Sequence, residues 1–487
     1  MRARHVVIVG GGISGLASAF FLRDAGVRVT VLEGSPRLGG KLAVSEIAGV
    51  AVDSGAEALL VTRPEGISLL SEAGLDDQRV APGTTAAAIW TRGELRPLPR
   101  RQFLGVPADV PELAASGVVS GEGAARAARD LDLPATPRDG DVSVGAYVSS
   151  RFGPEVVDRL VDPLLGGVYA GLSAALSFDA TMPALSAASR RFPSLAEAAG
   201  SLLPPAPGPE SPPQKPRQVF TTLAGGLGTL PEKLAKQSGA AIRTGAIVRE
   251  LARTPSGWRL TIGSAADPEL VDADAVIIAV PARPAGRLLA GVPGASAAVT
   301  AFGEFEYASM AIVTLAYPRA AFPEDAAGRS GYLVPAVDGH AVKAVTFSTV
   351  KWPHLLGDYH MVRCSLGRVG EEPVLQRDDA DLASLAAAEL AAATGVRGAP
   401  ASTRVTRWGG ALPQYTVGHL DRVARIRAAV AELPGLAVCG AAYDGVGIPA
   451  CVATAKAAVA QILAGPAFAP SPAFESSPVS GAERHRG

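Results

Sequence analysis

Apolar positions in this chain follow two rhythms, short β-branched runs and longer stretches of helical period. Residues His5 to Val9 make a β-branched run of the kind buried on both faces of a parallel sheet. A glycine-rich turn follows, then a helical pattern from about Ser14 to Ala25, which Gly26 stops. Val27 to Leu32 predicts a second strand, so the opening segment reads as a βαβ crossover. Two further strand patterns lie far downstream. One is Ala275 to Val280, closed by Pro281. The other is Leu436 to Gly440, which precedes a glycine-rich turn and an Ala-rich helix from about Pro449 to Leu463. If these strands share one sheet, its domain is discontinuous and the chain between them forms insertions.

The intervening chain divides in turn. Residues 105–200 read mostly helical, with Gly/Pro punctuation. Residues 204–216 are too Pro-rich for a regular element and read as loop or linker. Alternating apolar segments, such as Met310 to Tyr317 and Ala341 to Thr349, suit a second, antiparallel sheet. The expected nucleotide-binding domain is 1–85, 217–287 and 432–465, with a helical insert at 105–203. A substrate domain with a mixed or antiparallel sheet takes 86–104 and 288–431, and 466–487 reads as a disordered tail. The fold class is α/β with a discontinuous Rossmann-like domain.

Composition narrows the chemistry. At about 150 residues per domain, 487 residues support two or three packed units. With 48% apolar residues the chain can build a large core. Basic residues number 45 and acidic residues 46, so there is no basic excess for nucleic acid. Cys364, Cys439 and Cys451 cannot make a disulfide framework and suggest a reducing, cytoplasmic compartment. Arg2, Arg4 and His5 before an apolar run imitate a signal peptide, but Gly10-Gly11-Gly12 interrupts the run and it reads as structure. No apolar stretch suits a membrane span. No metal is expected, since His354 and His360 lack a third ligand at a recognisable spacing.

Gly10-Gly11-Gly12-Ile13-Ser14-Gly15 matches G-x-G-x-x-G between a strand and a helix. Gly10 permits the tight turn, Gly12 lets backbone approach a pyrophosphate, and Gly15 lets the helix pack on the sheet. The helix start offers free N–H groups to phosphate. Glu33 lies eighteen residues after Gly15, near the spacing of a ribose-binding acid. Beyond it, Arg37 can pair with phosphate charge, and Gly39-Gly40 lets backbone come close to a ligand. A plain surface turn is an equal alternative for that segment.

With these residues in view, the chain resembles the FAD-dependent amine oxidase superfamily through VVIVGGGISGL (6–16), Glu33 and PRLGGK (36–41). More narrowly it resembles the protoporphyrinogen/coproporphyrinogen oxidases of haem synthesis. That likeness rests on DSGAEALL (53–60), DPLLGGVYAG (162–171), LAGGLGTLP (223–231), WGGALPQYTVGH (408–419) and GLAVCGAAYDGVGIPACVATA (435–455). It implies an FAD domain in which Gly440 ends a strand and Gly447, Ile448 and Pro449 lie close to the flavin. Val248 resembles a position whose backbone meets adenine, with an ordinary core Val the equal alternative. The implied reaction removes six hydrogens from a porphyrinogen, with FAD as hydride acceptor and O2 giving hydrogen peroxide. No catalytic acid or base is assigned. Coproporphyrinogen III is the favoured substrate and protoporphyrinogen IX the rival.

Arg63 and Arg407 are candidates for the substrate's carboxylates, with a solvated role the alternative for each. Tyr415, in the PQYTVGH element with His419, is read either as a substrate contact or as a loop anchor. Peripheral membrane contact and handover to a haem-pathway enzyme stay open. Two other classes remain alongside: a flavin amine oxidase or carotenoid-type desaturase, and a non-enzymatic FAD-binding or haem-transfer protein. Sparse aromatics, 5% of the chain, weigh against an aromatic amine cage.

Overall fold

The computed structural model describes residues 3–205, 218–323, 328–466 and 468. Most of the Pro-rich loop and nearly all of the tail therefore lie outside the described residues. A five-stranded parallel sheet organises the fold, in the order Ala241–Arg243, Arg28–Leu32, His5–Val9, Ala275–Ile278, Leu436–Val438. Parallel strands need cover on both faces, which is why the central runs are continuously apolar. Val6 and Ile8 pack against the helices Ile13–Phe21 and Ile448–Ala464. Val7 and Val9 face Trp258, Leu260 and Phe302 on the other side. Three antiparallel strands, Val248–Thr254, Gly257–Gly263 and Pro268–Ala273, close that second face.

The first helix ends at Phe21, earlier than its apolar pattern predicts. Its last turn tightens, with Arg23 N–H bonding Phe20 C=O and Ala25 N–H bonding Leu22 C=O, before Gly26 turns at φ 67°.

A second sheet has seven strands. Their order is Ser402–Pro413, Tyr307–Pro318, Tyr359–Leu366, Val342–Phe347, Gly331–Leu333, Ala87–Thr91, Glu94–Pro97. Neighbours are antiparallel except Gly331–Leu333 with Ala87–Thr91, so the sheet is mixed. One face buries Val313, Leu315, Val362 and Cys364 under Leu382, Ala386 and Leu390 of the helix Asp379–Thr394. The other face turns towards the parallel sheet and its loops.

The segment between 105 and 200 is helical, as its pattern predicts. Five of its helices start where a side chain accepts the N–H three residues on: Asp109, Ser120, Ser143, Ser177 and Ser194. Its core holds a charged pair. Arg151 donates to Asp130 at 2.5 Å and to the carbonyls of Pro134 and Pro193. Ser194 Oγ and Ala196 N–H satisfy the other oxygen of Asp130. Removing one partner leaves a buried charge unmatched, which costs about 3–5 kcal/mol. Asp130→Ala should therefore speed amide exchange across 110–200 while the parallel sheet stays protected. Unchanged exchange there would refute this account.

Candidate active site

Parallel pairing brings the carboxyl ends of His5–Val9 and Leu436–Val438 to one sheet edge, and each strand feeds a glycine-rich turn there. At the first turn, a Cβ on Gly10 (φ 109°) would stand 2.7 Å from Ala279 O, and one on Gly15 would overlap Gly10 O. Only glycine fits either position. Gly12 differs: it caps the helix at φ −75°, and a Cβ there would meet nothing within 4 Å. Ile13 and Ser14 begin the helix beneath that open space. Gly39 N–H bonds Gly11 O at 2.8 Å, and a Cβ on Gly40 would stand 3.3 Å from Gly12 Cα. The two glycine segments thus lie side by side, bare of side chains.

Glu33 closes this turn. Its two oxygens accept the N–H groups of Gly11 and Ser35, each at 2.7 Å. Ala246 N–H bonds Glu33 O, and Ile247 packs over Gly34, so Val248 begins its strand beside this carboxylate. Arg37 is exposed but engaged, donating to the carbonyls of Leu38, Gly40 and Leu42. It braces the 38–42 loop.

At the second turn, Gly440 N–H bonds Thr454 Oγ1 at 3.0 Å. The chain then loops to Gly447, which starts the helix Ile448–Ala464 with Pro449 in its first turn. Neither this helix nor Ile13–Phe21 carries a side-chain N-cap. Both expose unsatisfied N–H groups and a positive dipole end at the same edge. Lys41, missed in the sequence as a site residue, also lies here. Its ammonium has no hydrogen bond or ion pair among the described residues, and burial lowers its pKa.

Across from this edge stands the inner face of the seven-stranded sheet. Register pairs carry Thr406, Ile312, Ser365, Ala344, Leu333 and Ile89 in one row across it. Ala344, Ser365 and Met310 are only half-buried although they sit on central strands or beside them. That combination describes a shallow slot with small, mostly aliphatic walls. Leu333 and Ile89 close one end against the helical insert. The other end is a seam. Trp408 Nε1 donates to Ser54 O at 2.9 Å, and Arg363 donates to Gly55 O at 2.6 Å and to Glu57 at 2.5 Å. Lys351 reaches the other oxygen of Glu57 at 2.8 Å. Burial alone would push the Glu57 carboxyl up, but the Lys351 and Arg363 charges hold it at about 2.

The three substrate candidates part company. Arg63 is exposed, its guanidinium 3.7 Å from where a Cβ on Gly445 would stand. It has no hydrogen bond or ion pair among the described residues, and its charge is felt by the buried Tyr169 phenol, which burial pushes up to about 12. Arg407 turns to the sheet's outer face. It pairs with Asp379 and donates to the carbonyls of Leu375 and Arg377, lining a cleft of about 500 Å³ at the sheet edge. It leaves the slot because it has the opposite strand parity to Trp408. Tyr415 is buried, and its hydroxyl goes to the 441–445 loop.

The sequence profile of the flavin-containing amine oxidoreductases matches residues 13–463. The chain belongs to that family. It is a flavoenzyme, an oxidoreductase whose cofactor is FAD. Over 470 residues it is 38% identical to a coproporphyrinogen III oxidase of Mycobacterium tuberculosis, covering 95% of this chain and 98% of that one. A coproporphyrinogen III oxidase of Bacillus subtilis is 32% identical, with 94% and 98% covered. A solved structure from Exiguobacterium sp. 255-15, provisionally named a protoporphyrinogen oxidase, superposes with a TM-score of 0.82 at 29% identity, over 95% of this chain and 99% of that one. The residues here suit a flavin dinucleotide. Two uncapped helix starts, the open space over Gly12 and the unpaired Lys41 form a cradle for anionic groups that lacks an anion of its own.

Two outcomes follow. Gly12→Ala should fold normally yet lose FAD affinity at least about tenfold, since its methyl fills ligand space rather than protein. Gly15→Ala should lose fold and flavin together, and equal behaviour of the two in flavin titration and thermal melts would refute the assignment. The second outcome concerns His419, fully buried beside Tyr415, whose pKa burial lowers from 6.5 to about 4. The unfolded chain takes this proton first, so stability is lost as pH falls from about 6.5 to 4, by up to about 3 kcal/mol. His419→Gln should flatten that slope in urea titrations at pH 7 and pH 5. A wild-type-minus-variant difference that ignores pH would contradict it.

Proposed function

We propose that this flavoenzyme oxidises coproporphyrinogen III to coproporphyrin III in haem synthesis, consuming three O2 and releasing three H2O2. The observation that carries the reading is the slot. It is small-walled and mostly aliphatic, and Arg63, with no hydrogen bond or ion pair among the described residues, stands beside the 441–447 loop. A flat macrocycle edged with carboxylates is complementary to it. Relatives named coproporphyrinogen III oxidases match this chain over nearly its whole length, which supports the same substrate. The Exiguobacterium name favours protoporphyrinogen IX as the second reading.

When bound, FAD supplies the hydride acceptor, two electrons per cycle over three cycles. The chain's own part is placement. Gly10, Gly12, Ile13, Ser14 and Gly15, with Gly39 and Gly40, present backbone to the pyrophosphate. Arg37 keeps their second segment in shape. Glu33 takes the ribose and the backbone at Val248 meets the adenine. Gly440 starts the loop that delivers Gly447, Ile448 and Pro449 to the flavin ring. The aliphatic sheet face excludes water, and Arg63 orients the macrocycle through a carboxylate.

Cytoplasmic location, peripheral membrane contact and product handover belong to the same proposal. Among the described residues no helix is long and apolar enough to cross a membrane. Exposed Val168, Leu172, Val417 and Leu420 support a surface contact, on segments joined by Val417 N–H to Ala175 O.

Purified, FAD-loaded protein given each porphyrinogen under air should form fluorescent coproporphyrin faster than protoporphyrin, with one peroxide per two electrons. Arg63→Gln should raise KM about tenfold and leave kcat nearly unchanged. Porphyrin formation no faster than in enzyme-free controls would end the proposal.

A further inference from the structure

The loop from Gly440 to Gly447 is held at alternate residues by one pair of side chains. Tyr415 Oη donates to Ala441 O at 2.7 Å and accepts from Gly445 N–H at 2.8 Å, so one oxygen ties both ends of the loop. His419, four residues on at the start of the helix His419–Ala431, donates from Nε2 to Tyr443 O at 2.8 Å. The two rings stack at 3.7 Å between centroids and 16° between planes, and Tyr169 packs on the outer side of Tyr415 at 5.5 Å. Asp444, which faces out between these anchors, is paired with Arg427 at 2.5 Å. Gly445 leaves no slack: at φ 144°, a Cβ on it would stand 2.8 Å from Ala450 Cβ.

The loop ends at the uncapped start of the Ile448–Ala464 helix. A helix dipole falls off within its first turn, so its effect on a neighbouring charge depends on where that turn is held. We propose that Tyr415 is a positioning residue for the flavin: its hydroxyl fixes the 441–445 loop, and through it the distance from the Gly447 helix start to the flavin ring. This rests on the flavin placement proposed above and not on the substrate. A reduced flavin carries negative charge that the helix start stabilises. Loosening the loop should therefore favour the oxidised form and lower the midpoint potential.

Tyr415→Phe keeps the stacked ring and removes both hydrogen bonds. We expect FAD to stay bound and the reduced-to-oxidised ratio at fixed potential to fall about tenfold, ~30 mV for a two-electron couple. In turnover, kcat should fall with little change in KM. Tyr332→Phe is the control, because that buried hydroxyl has no hydrogen-bond partner among the described residues and lies in the core under the Asp379–Thr394 helix. It should leave the potential unmoved. If Tyr415→Phe does not retain flavin, His419→Phe is read instead. It keeps the stack, deletes the bond to Tyr443 and should move the potential the same way. A wild-type potential in a flavin-loaded Tyr415→Phe protein overturns the proposal. Gly447→Ala then locates the failure. If it shifts the potential, the brace alone is wrong; if it does not, the loop is not at the flavin.

Discussion

The parallel pairing of His5–Val9, Ala275–Ile278 and Leu436–Val438 is the constraint on which the site depends. Strands that run the same way end at the same edge. The turns after Val9 and Val438 therefore open together, although they come from opposite ends of the chain. Two helices begin there, and their unsatisfied N–H groups make one electropositive rim. Neither helix start would be a binding site alone. The sheet makes them one.

Much of this was legible, and for local reasons. Gly10, Gly12 and Gly15 serve a turn whose geometry is fixed over six residues, and Glu33 sits at a spacing set by one helix and one strand. The apolar runs of the parallel strands identify themselves because both faces are buried. Tertiary choices were less legible. Nothing in the apolar pattern separates Arg407 from Trp408 as the residue facing inward. Their pairing decides it: Arg407 lies opposite Ala311, which packs on the outer face, and Trp408 lies opposite Met310. Glu57, Arg363 and Lys351 carry no local signature, because their meaning comes from partners hundreds of residues away, and Lys41 carries none because only the fold buries it. The three antiparallel strands between 248 and 273 carry much polar, exposed surface on their outer side, which hides their period.

Charge behaves differently at the seam and beside the 441–447 loop. At the seam, Glu57 is matched by two cations and locked. Beside the loop, Arg63 is unmatched. A near-neutral chain can thus hold an unmatched local positive charge, and the net charge of −1 carries no information about it.

The seam also restricts how the two sides of the site can move. Trp408, Arg363 and Lys351 fasten the seven-stranded sheet to residues 54–57, beside the 38–42 loop. Opening the seam would separate Glu57 from both of its cations, Lys351 and Arg363. The sheet can therefore leave residues 54–57 only by breaking these bonds together, which ties the two sides of the site to each other at this end.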